Sequence, residues 1–184
     1  MFFLAALTLL AGCKHKKKPL LSGEEPVVVN DFIDFFPEVK LPFQFADTDL
    51  VKKESDSLRI SFKVFSQFVP DSALSRIFGK GVKPQFFPMG KVSVPNQETY
   101  VFVKSVSSGR YSGLLVCFDK KKNFIALMPV LEPDQNSLTQ QVSGMDKKLS
   151  VYKIIRRKNS DGTVNEGKDV YILNSAARNF MLIL

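Results

Sequence analysis

Residues 98–131 read ETYVFVKSVSSGRYSGLLVCFDKKKNFIALMPVL, three apolar runs separated by two turn-like joins, SSGR at 107–110 and DKKKN at 119–123. Gly, Asn, Asp and Ser collect at such joins because they adopt positive φ or bond their own backbone. Joins this short allow antiparallel hairpins and exclude crossover connections. Residues 114–118 and 124–128 are apolar at both parities, so these two strands need cover on both faces. A sandwich supplies that cover, as does a barrel packed by an outer element.

Working outward, the period-two pattern continues. FFPMGKVSV (86–94) precedes the hairpins, and KLSVYKIIR (148–156), KDVYILN (168–174) and NFMLIL (179–184) follow, with a further turn, NSDG, at 159–162. Upstream, LPFQFAD (41–47) places Leu41, Phe43 and Phe45 on one side, and LRISFKV (58–64) does so with Leu58, Ile60, Phe62 and Val64. Both read as half-buried strands. EPVVVND (25–31) can begin the first strand of the domain. One short helix is expected over 71–79, with Asp71 as N-cap, Ala73, Leu74, Ile77 and Phe78 inward, and Gly79 as its stop. The expected fold is therefore mostly β, an antiparallel meander forming a sandwich or barrel-like domain, with a propeller-like fragment as the alternative. The stretch Glu132 to Asp146 reads as the longest loop, and it and the 158–168 tip are the expected places for partner contacts. The apolar end FMLIL (180–184) must dock as a strand, or else the chain is truncated there or pairs with another molecule. FFP at 35–37 and at 86–88 is too brief an echo to define a repeat.

Chemistry is sparsely signalled. The single histidine, His15, lies near the N-terminus, which leaves the folded part without the base of a Ser-His-Asp or Cys-His arrangement. Asp31 and Asp34, and Asp47 and Asp49, are the close acidic pairs beside apolar residues. A glycosidase would need two such carboxyls about 5 to 9.5 Å apart across a cleft. NSDGT (159–163) lacks the recurring acids and distal glutamate of a calcium loop, and no zinc cluster or phosphate-binding glycine loop occurs, so neither metal nor cofactor is expected. Cys117 sits in an apolar run and reads as a buried filler. The 17 phenylalanines, against four tyrosines and no tryptophan, serve first to fill a core. Their functional reading is an apolar pocket lined by Phe43, Phe45, Phe62, Phe65 and Phe68.

The N-terminus decides location. Phe2 to Gly12 is too short to cross a bilayer, which takes about 20 residues, but fits a secretory h-region of about 7 to 15. Its end, Leu10-Ala11-Gly12-Cys13, resembles the lipobox of bacterial lipoproteins cleaved by the type II signal peptidase, although Met1-Phe2-Phe3 carries no positive charge. The resemblance implies removal of residues 1–12 and a lipid-modified Cys13 as the mature terminus. Lys14, Lys16, Lys17 and Lys18 follow at once, within a Debye length of anionic headgroups and worth about 1 kcal/mol each. By analogy with sorting in enteric bacteria, Lys14 after the cysteine points to the outer membrane, facing the periplasm.

These four lysines supply half of the net charge of +8, so the body carries no strong nucleic-acid footprint. Residues 13–30, with two prolines and mixed charge, read as a tether of about 17 residues spanning roughly 20 to 25 Å, and 31–184 as one β domain. With Cys13 joined to lipid, Cys117 has no disulfide partner. The function expected from these features is a non-catalytic, lipid-anchored cell-envelope protein, a binding or assembly module for another envelope protein. The alternative is a carrier of an apolar ligand in the phenylalanine-lined cavity, which should exceed about 300 Å³. A carboxylate-dependent hydrolase is third.

Overall fold

The computed structural model describes residues 20–133 and 138–184. Along the chain these form α1 (Val29–Asp34), β1 (Phe43–Ala46), α2 (Asp47–Leu50), α3 (Phe62–Phe65), α4 (Asp71–Phe78), then β2 (Gln85–Ser93), β3 (Thr99–Ser107), β4 (Arg110–Phe118), β5 (Phe124–Leu131), β6 (Thr139–Met145), β7 (Val151–Lys158), β8 (Val164–Asn174) and β9 (Asn179–Leu182). Strands outweigh helices, 44% against 16%, so the chain is mostly β. A four-stranded sheet runs in the order β2-β3-β4-β5 and a five-stranded sheet in the order β1-β6-β7-β8-β9. Every strand pairing is antiparallel. The sheets pack face to face as a sandwich, and among the described residues neither closes into a barrel.

The doubly apolar strands obtain cover on both sides from two different layers. Val101, Val103, Leu114, Val116 and Phe118 face the helices, where Leu21, Phe32, Phe36, Val64, Phe65 and Leu74 complete one core. Tyr100, Phe102, Leu115 and Cys117 face the other sheet, meeting Phe45, Met145 and Val151 in a second core. The hairpin turns are built as their residues require. Ser108 and Gly109 both take positive φ, 48° and 76°, as a two-residue turn matched to strand twist demands. Asp119 closes the next turn, its Oδ1 accepting from the N–H groups of Lys121 at 2.7 Å and Asn123 at 2.8 Å.

Four sequence expectations are corrected. LRISFKV is not a strand: after a 3₁₀ turn at Asp56–Leu58, only Ile60 bridges Phe86, and α3 follows. Ser61 decides this, because its Oγ accepts from Val64 N–H at 3.1 Å, an N-cap. Asp71 is not the N-cap of α4; Pro70 precedes the helix and Asp71 lies in the first turn, favourably placed for the helix dipole. Ala73, Leu74, Ile77 and Phe78 do face the core, and Gly79 ends the helix at φ 89°.

The third correction concerns 132–146. Residues 139–145 form β6, disguised because two of its inward positions are polar: Gln141 bonds Glu132 O at 2.8 Å and Ser143 bonds Tyr152 O at 2.8 Å. The fourth concerns the tether and the first strand. Leu21 is fully buried, its carbonyl accepts from Ser61 N–H at 2.9 Å, Ser61 Oγ bonds Gly23 O at 2.5 Å, and residues 29–34 are helical. Among the described residues, docking is thus already present at Leu21, ten residues ahead of the boundary drawn from composition.

Two lysines that composition counts as surface charge are internal. Lys91 on β2 bonds Asp34 at 2.7 Å and pairs with Glu38 at 3.5 Å, pinning the chain beyond α1 to the sheet. Lys104 on β3 donates to Lys52 O, lies 3.4 Å from Glu54, and sits over the rings of Phe87 and Tyr111. A buried ammonium needs such partners, because an uncompensated one costs several kcal/mol.

Candidate functional site

Cys13, Lys14, Lys16, Lys17 and Lys18, with the lipobox, lie outside the described residues. The five phenylalanines are not brought together. Phe62, Phe65 and Phe68 belong to the helix-side core, where Phe65 stacks on Phe86 with centroids 3.8 Å apart and Phe68 on Phe32 at 4.4 Å. Phe43 and Phe45 belong to the inter-sheet core, against Phe102 at 5.0 Å and 5.9 Å. The four-stranded sheet separates the two groups, so no single pocket is lined by all five. Rings at these separations fill space.

The acidic pairs have structural occupations. Asp34 holds Lys91, while Asp47 Oδ2 accepts from Gln141 N–H at 2.9 Å. Asp49 accepts from Ala46 N–H at 2.8 Å and pairs with Lys52 at 2.6 Å, and these two contacts hold its carboxyl below the usual range. Asp31 and Asp34 ride on α1 and Asp47 and Asp49 on α2, elements that pack against different cores.

Cys117 is fully buried. Burial, with the charges of Glu98 and Asp119, pushes its thiol far above the ordinary range. Only the thiolate reacts. Native protein is therefore expected to alkylate with iodoacetamide at Cys117 at least about 100-fold more slowly than protein unfolded in guanidinium, as peptide mass mapping over a time course will show. Comparable rates in the two states would mean the β4 core opens freely.

Two open clefts mark the ends of the four-stranded sheet. One, of about 820 Å³, lies between the end of α4 and the β3–β4 turn and is lined by Ile77, Phe78, Ser107, Arg110, Tyr111 and Glu132. The other, about 480 Å³, is lined by Asn96, Thr99 and the lysines of the 119–123 turn. There Lys122 Nζ donates to Thr99 Oγ1 at 2.7 Å. None of the five phenylalanines lines either cleft.

The surface that departs most from a solvated exterior is the outer face of the five-stranded sheet. Register places Val142, Ile154 and Lys168 side by side, then Gly144, Tyr152 and Val170, then Ile172 opposite Met181. Val170 O accepts from Ile183 N–H at 2.8 Å, which extends the band to Ile183. Their alternate neighbours, Val151, Tyr171, Leu173 and Phe180, belong to the inter-sheet core. The outward set thus carries Val142, Ile154, Tyr152, Val170, Ile172 and Met181, interrupted by Lys168 and bordered by Gln44, Gln140, Arg156 and Glu166, on the side where a two-layer sandwich meets water. Toward the free edge, Ile172, Met181, Leu182, Ile183 and Leu184 are between 38% and 72% exposed. A contiguous apolar band at this exposure is the usual mark of an interaction surface.

No protein-family model, curated protein or solved structure matches this chain. The site is therefore read from its own geometry.

Next to the band, the β7–β8 hairpin runs on past the sandwich. Residues 155–158 and 160–168 are exposed, and Arg156 pairs with Glu166 across the strands at 2.6 Å. The 158–168 tip singled out from sequence sits at the end of this arm. The outer band itself was missed, although residues 170–173 are apolar at four successive positions. In a strand that pattern signals two apolar faces, the same inference drawn for residues 114–118. Among the described residues no group of three or more His, Cys, Asp or Glu side chains is placed to hold a metal, and no helix is long and apolar enough to cross a membrane.

Proposed function

We propose that this protein is a lipid-anchored component of a bacterial cell envelope, moored through Cys13 to the outer membrane on its periplasmic side. Its β sandwich serves as a non-catalytic assembly module that engages protein through the outer face of the five-stranded sheet. The observation that carries the binding role is the apolar band from Val142 to Ile183, half-buried at Val142, Ile154 and Val170, exposed at Ile172, Met181 and Ile183, and interrupted by Lys168. A globular domain leaves such a band open at a cost in apolar hydration unless a partner covers it. The anchor is supported by Leu10-Ala11-Gly12-Cys13 and the four lysines after it. Docking from Leu21 onward adds a constraint, since the eight residues from Cys13 to Leu21 reach at most about 28 Å even when extended. The module is then held beside the bilayer. The carrier reading loses the five-residue lining on which it stood.

The test has two arms. Cys13→Ala is expected to lose the lipid mass and leave the envelope fraction on alkaline carbonate washing; retention in that fraction would end the anchoring claim. A photoreactive residue at Ile154, irradiated in intact membranes, is expected to give a discrete protein adduct that the same residue at Lys120 does not give. Adducts to lipid alone, or none, would end the protein-binding claim.

A further inference from the structure

We propose that the cleft of about 480 Å³ at one end of the four-stranded sheet binds a phosphate monoester, a dianion carried by a small hydroxylated molecule. This site stands apart from the assembly reading, since no residue of the outer band lines the cleft.

Antiparallel order builds the site. The β2–β3 and β4–β5 turns lie together at one end of the sheet, and the β3–β4 turn lies at the other. The first of the paired turns supplies Asn96 and Gln97, and the second supplies Lys120, Lys121 and Lys122. Thr99 lines the cleft from the start of β3.

Charge here is one-sided. Among the described residues, ion pairs engage Lys52, Lys63, Lys91, Lys104 and Arg156, and none engages the three lysines of the cleft. The neighbouring carboxylates are committed elsewhere. Asp119 bonds its own turn, Oδ1 accepting from the N–H groups of Lys121 and Asn123 and Oδ2 from Asn123 Nδ2 at 3.0 Å. Glu98 accepts from Ser175 Oγ at 3.0 Å, on the β8–β9 turn. Glu38 reaches the rim, where Ser93 Oγ donates to it at 3.4 Å, but Lys91 lies 3.5 Å from the same carboxylate.

Lys122 is the fixed member of the set. It is half-buried where Lys120 and Lys121 are exposed, and its φ of 65° is one that favours Gly, Asn or Asp. Its Nζ donates to Thr99 Oγ1 at 2.7 Å, and Thr99 is 1% exposed. One hydroxyl occupies one of the three N–H groups of an ammonium, so two are left for a ligand, and the threonine keeps its own O–H to donate. A cation drawn out of water with a neutral partner alone gains most from an anion.

The chemistry of the lining selects the anion. Three ammonium groups suit a phosphate monoester, which carries about −1.5 to −2 at pH 7, better than a singly charged carboxylate. No arginine lines the cleft, so the planar fork that matches a carboxylate is missing, while lysine serves phosphate as a point charge. The volume leaves room for the group that carries the phosphate, and Ser93, Asn96 and Gln97 offer hydrogen bonds to its hydroxyls. No aromatic ring lines the cleft on which a nucleobase could stack.

Placement selects the source. Leu21 O accepts from Ser61 N–H, and Ile60 bridges Phe86 near the start of β2. The cleft begins at Ser93, at the other end of that strand, about 23 Å away at roughly 3.3 Å per residue. On the anchoring reading above, the chain arrives from Cys13 at one end of the sheet and the cleft opens at the opposite end. The ligand is then a diffusible phosphate monoester and not a headgroup of the protein's own bilayer.

The probe is glycerol 3-phosphate, titrated calorimetrically into the full-length protein in uncharged detergent at low ionic strength, where screening is weak. One equivalent is expected to bind with Kd below about 1 mM. Lys122→Asn suits the positive φ while removing the ammonium, and is expected to weaken binding at least about 10-fold, the scale of one charge-assisted hydrogen bond. Lys120→Gln with Lys121→Gln, both on exposed side chains, is expected to weaken it about 5-fold or more without touching the fold. Lys147→Gln, exposed in the β6–β7 turn, is expected to change it less than about 2-fold, and acetate is expected to bind at least about 10-fold more weakly than the probe. Absence of saturable binding, or an equal loss from Lys147→Gln, overturns the site. Acetate bound as tightly as glycerol 3-phosphate overturns the assignment to phosphate. Cys13→Ala protein that sediments with phosphatidic acid vesicles, and ceases to do so when Lys120, Lys121 and Lys122 are replaced, overturns the diffusible source. None of these outcomes involves the outer band, whose crosslink at Ile154 is read separately.

Discussion

Phe32→Ala lowers the free energy of unfolding by about 3 to 5 kcal/mol, the range for emptying a buried aromatic site. α1 is six residues long and has no side-chain N-cap, too short to persist through its own hydrogen bonds. Packing holds it, and Phe32 is the centre of that packing. Its ring, fully buried, stacks on Phe68 at 4.4 Å and meets Phe36 at 5.4 Å, Phe65 at 5.9 Å and Phe118 at 6.3 Å. It thereby ties α1, the segment after α3 and the face of β4 into one cluster. Removing it leaves a void walled by rings that other contacts hold, so collapse into the space is incomplete. Against a total stability of about 5 to 15 kcal/mol, this is a substantial share of the margin. In urea, with a slope of roughly 2 kcal/mol per M, the midpoint is expected to fall by about 1.5 to 2.5 M. Hydrogen exchange is expected to accelerate first over residues 21–36 and 61–78. A midpoint shift under about 0.5 M would show that the helical layer is held by something other than this ring cluster.

The contrast between that layer and the sheet it covers shows what the sequence makes legible. β3, β4 and β5 are plain because three signals agree: alternation, apolar content at both parities, and turn residues that the hairpins require. Residues 58–69 mislead because Leu58, Ile60, Phe62 and Val64 satisfy period two, while Ile60, Val64, Phe65, Phe68 and Val69 satisfy period 3.6 equally well. Ser61, used as a cap, resolves the ambiguity, and a serine between hydrophobes gives no sign of that use until its partner N–H is located. β6 inverts the usual rule by turning Gln141 and Ser143 inward, and their partners, Glu132 and Tyr152, lie nine residues away on either side.

The site was legible only in outline. The apolar end and the 158–168 tip were marked from sequence, but the outer band joins residues from β6, β7, β8 and β9, and sheet order alone makes them neighbours. The phenylalanine pocket failed for the matching reason. Residues close in sequence, Phe43 with Phe45 and Phe62 with Phe65 and Phe68, each share a core, while a whole sheet stands between the two groups.

That β1 is seated at all depends on an absent side chain, and Gly144→Ala is expected to unseat it. Among the described residues β1 pairs only with β6, Gln44 opposite Gly144. A Cβ at 144 would lie 2.3 Å from the Phe43 carbonyl oxygen, 2.6 Å from Tyr152 Oη and 2.8 Å from its Cζ. The tyrosine crosses this position to bond Gln44 at 3.2 Å, so its ring occupies the space a side chain would need. The ring can rotate away and forfeit that bond, but the Phe43 oxygen is backbone and moves only if β1 does. Displacing β1 pulls Phe43 and Phe45 from the inter-sheet core. The expected loss is about 3 kcal/mol, at the upper end for an added methyl in a packed site, with fast exchange of the amides at 43–46. A double-mutant cycle separates the two obstacles. Gly144→Ala in a Tyr152→Ala background should recover only the part due to the ring, leaving the larger share of the penalty. Full recovery would show that the backbone of β1 yields easily there, and that the glycine serves the tyrosine alone.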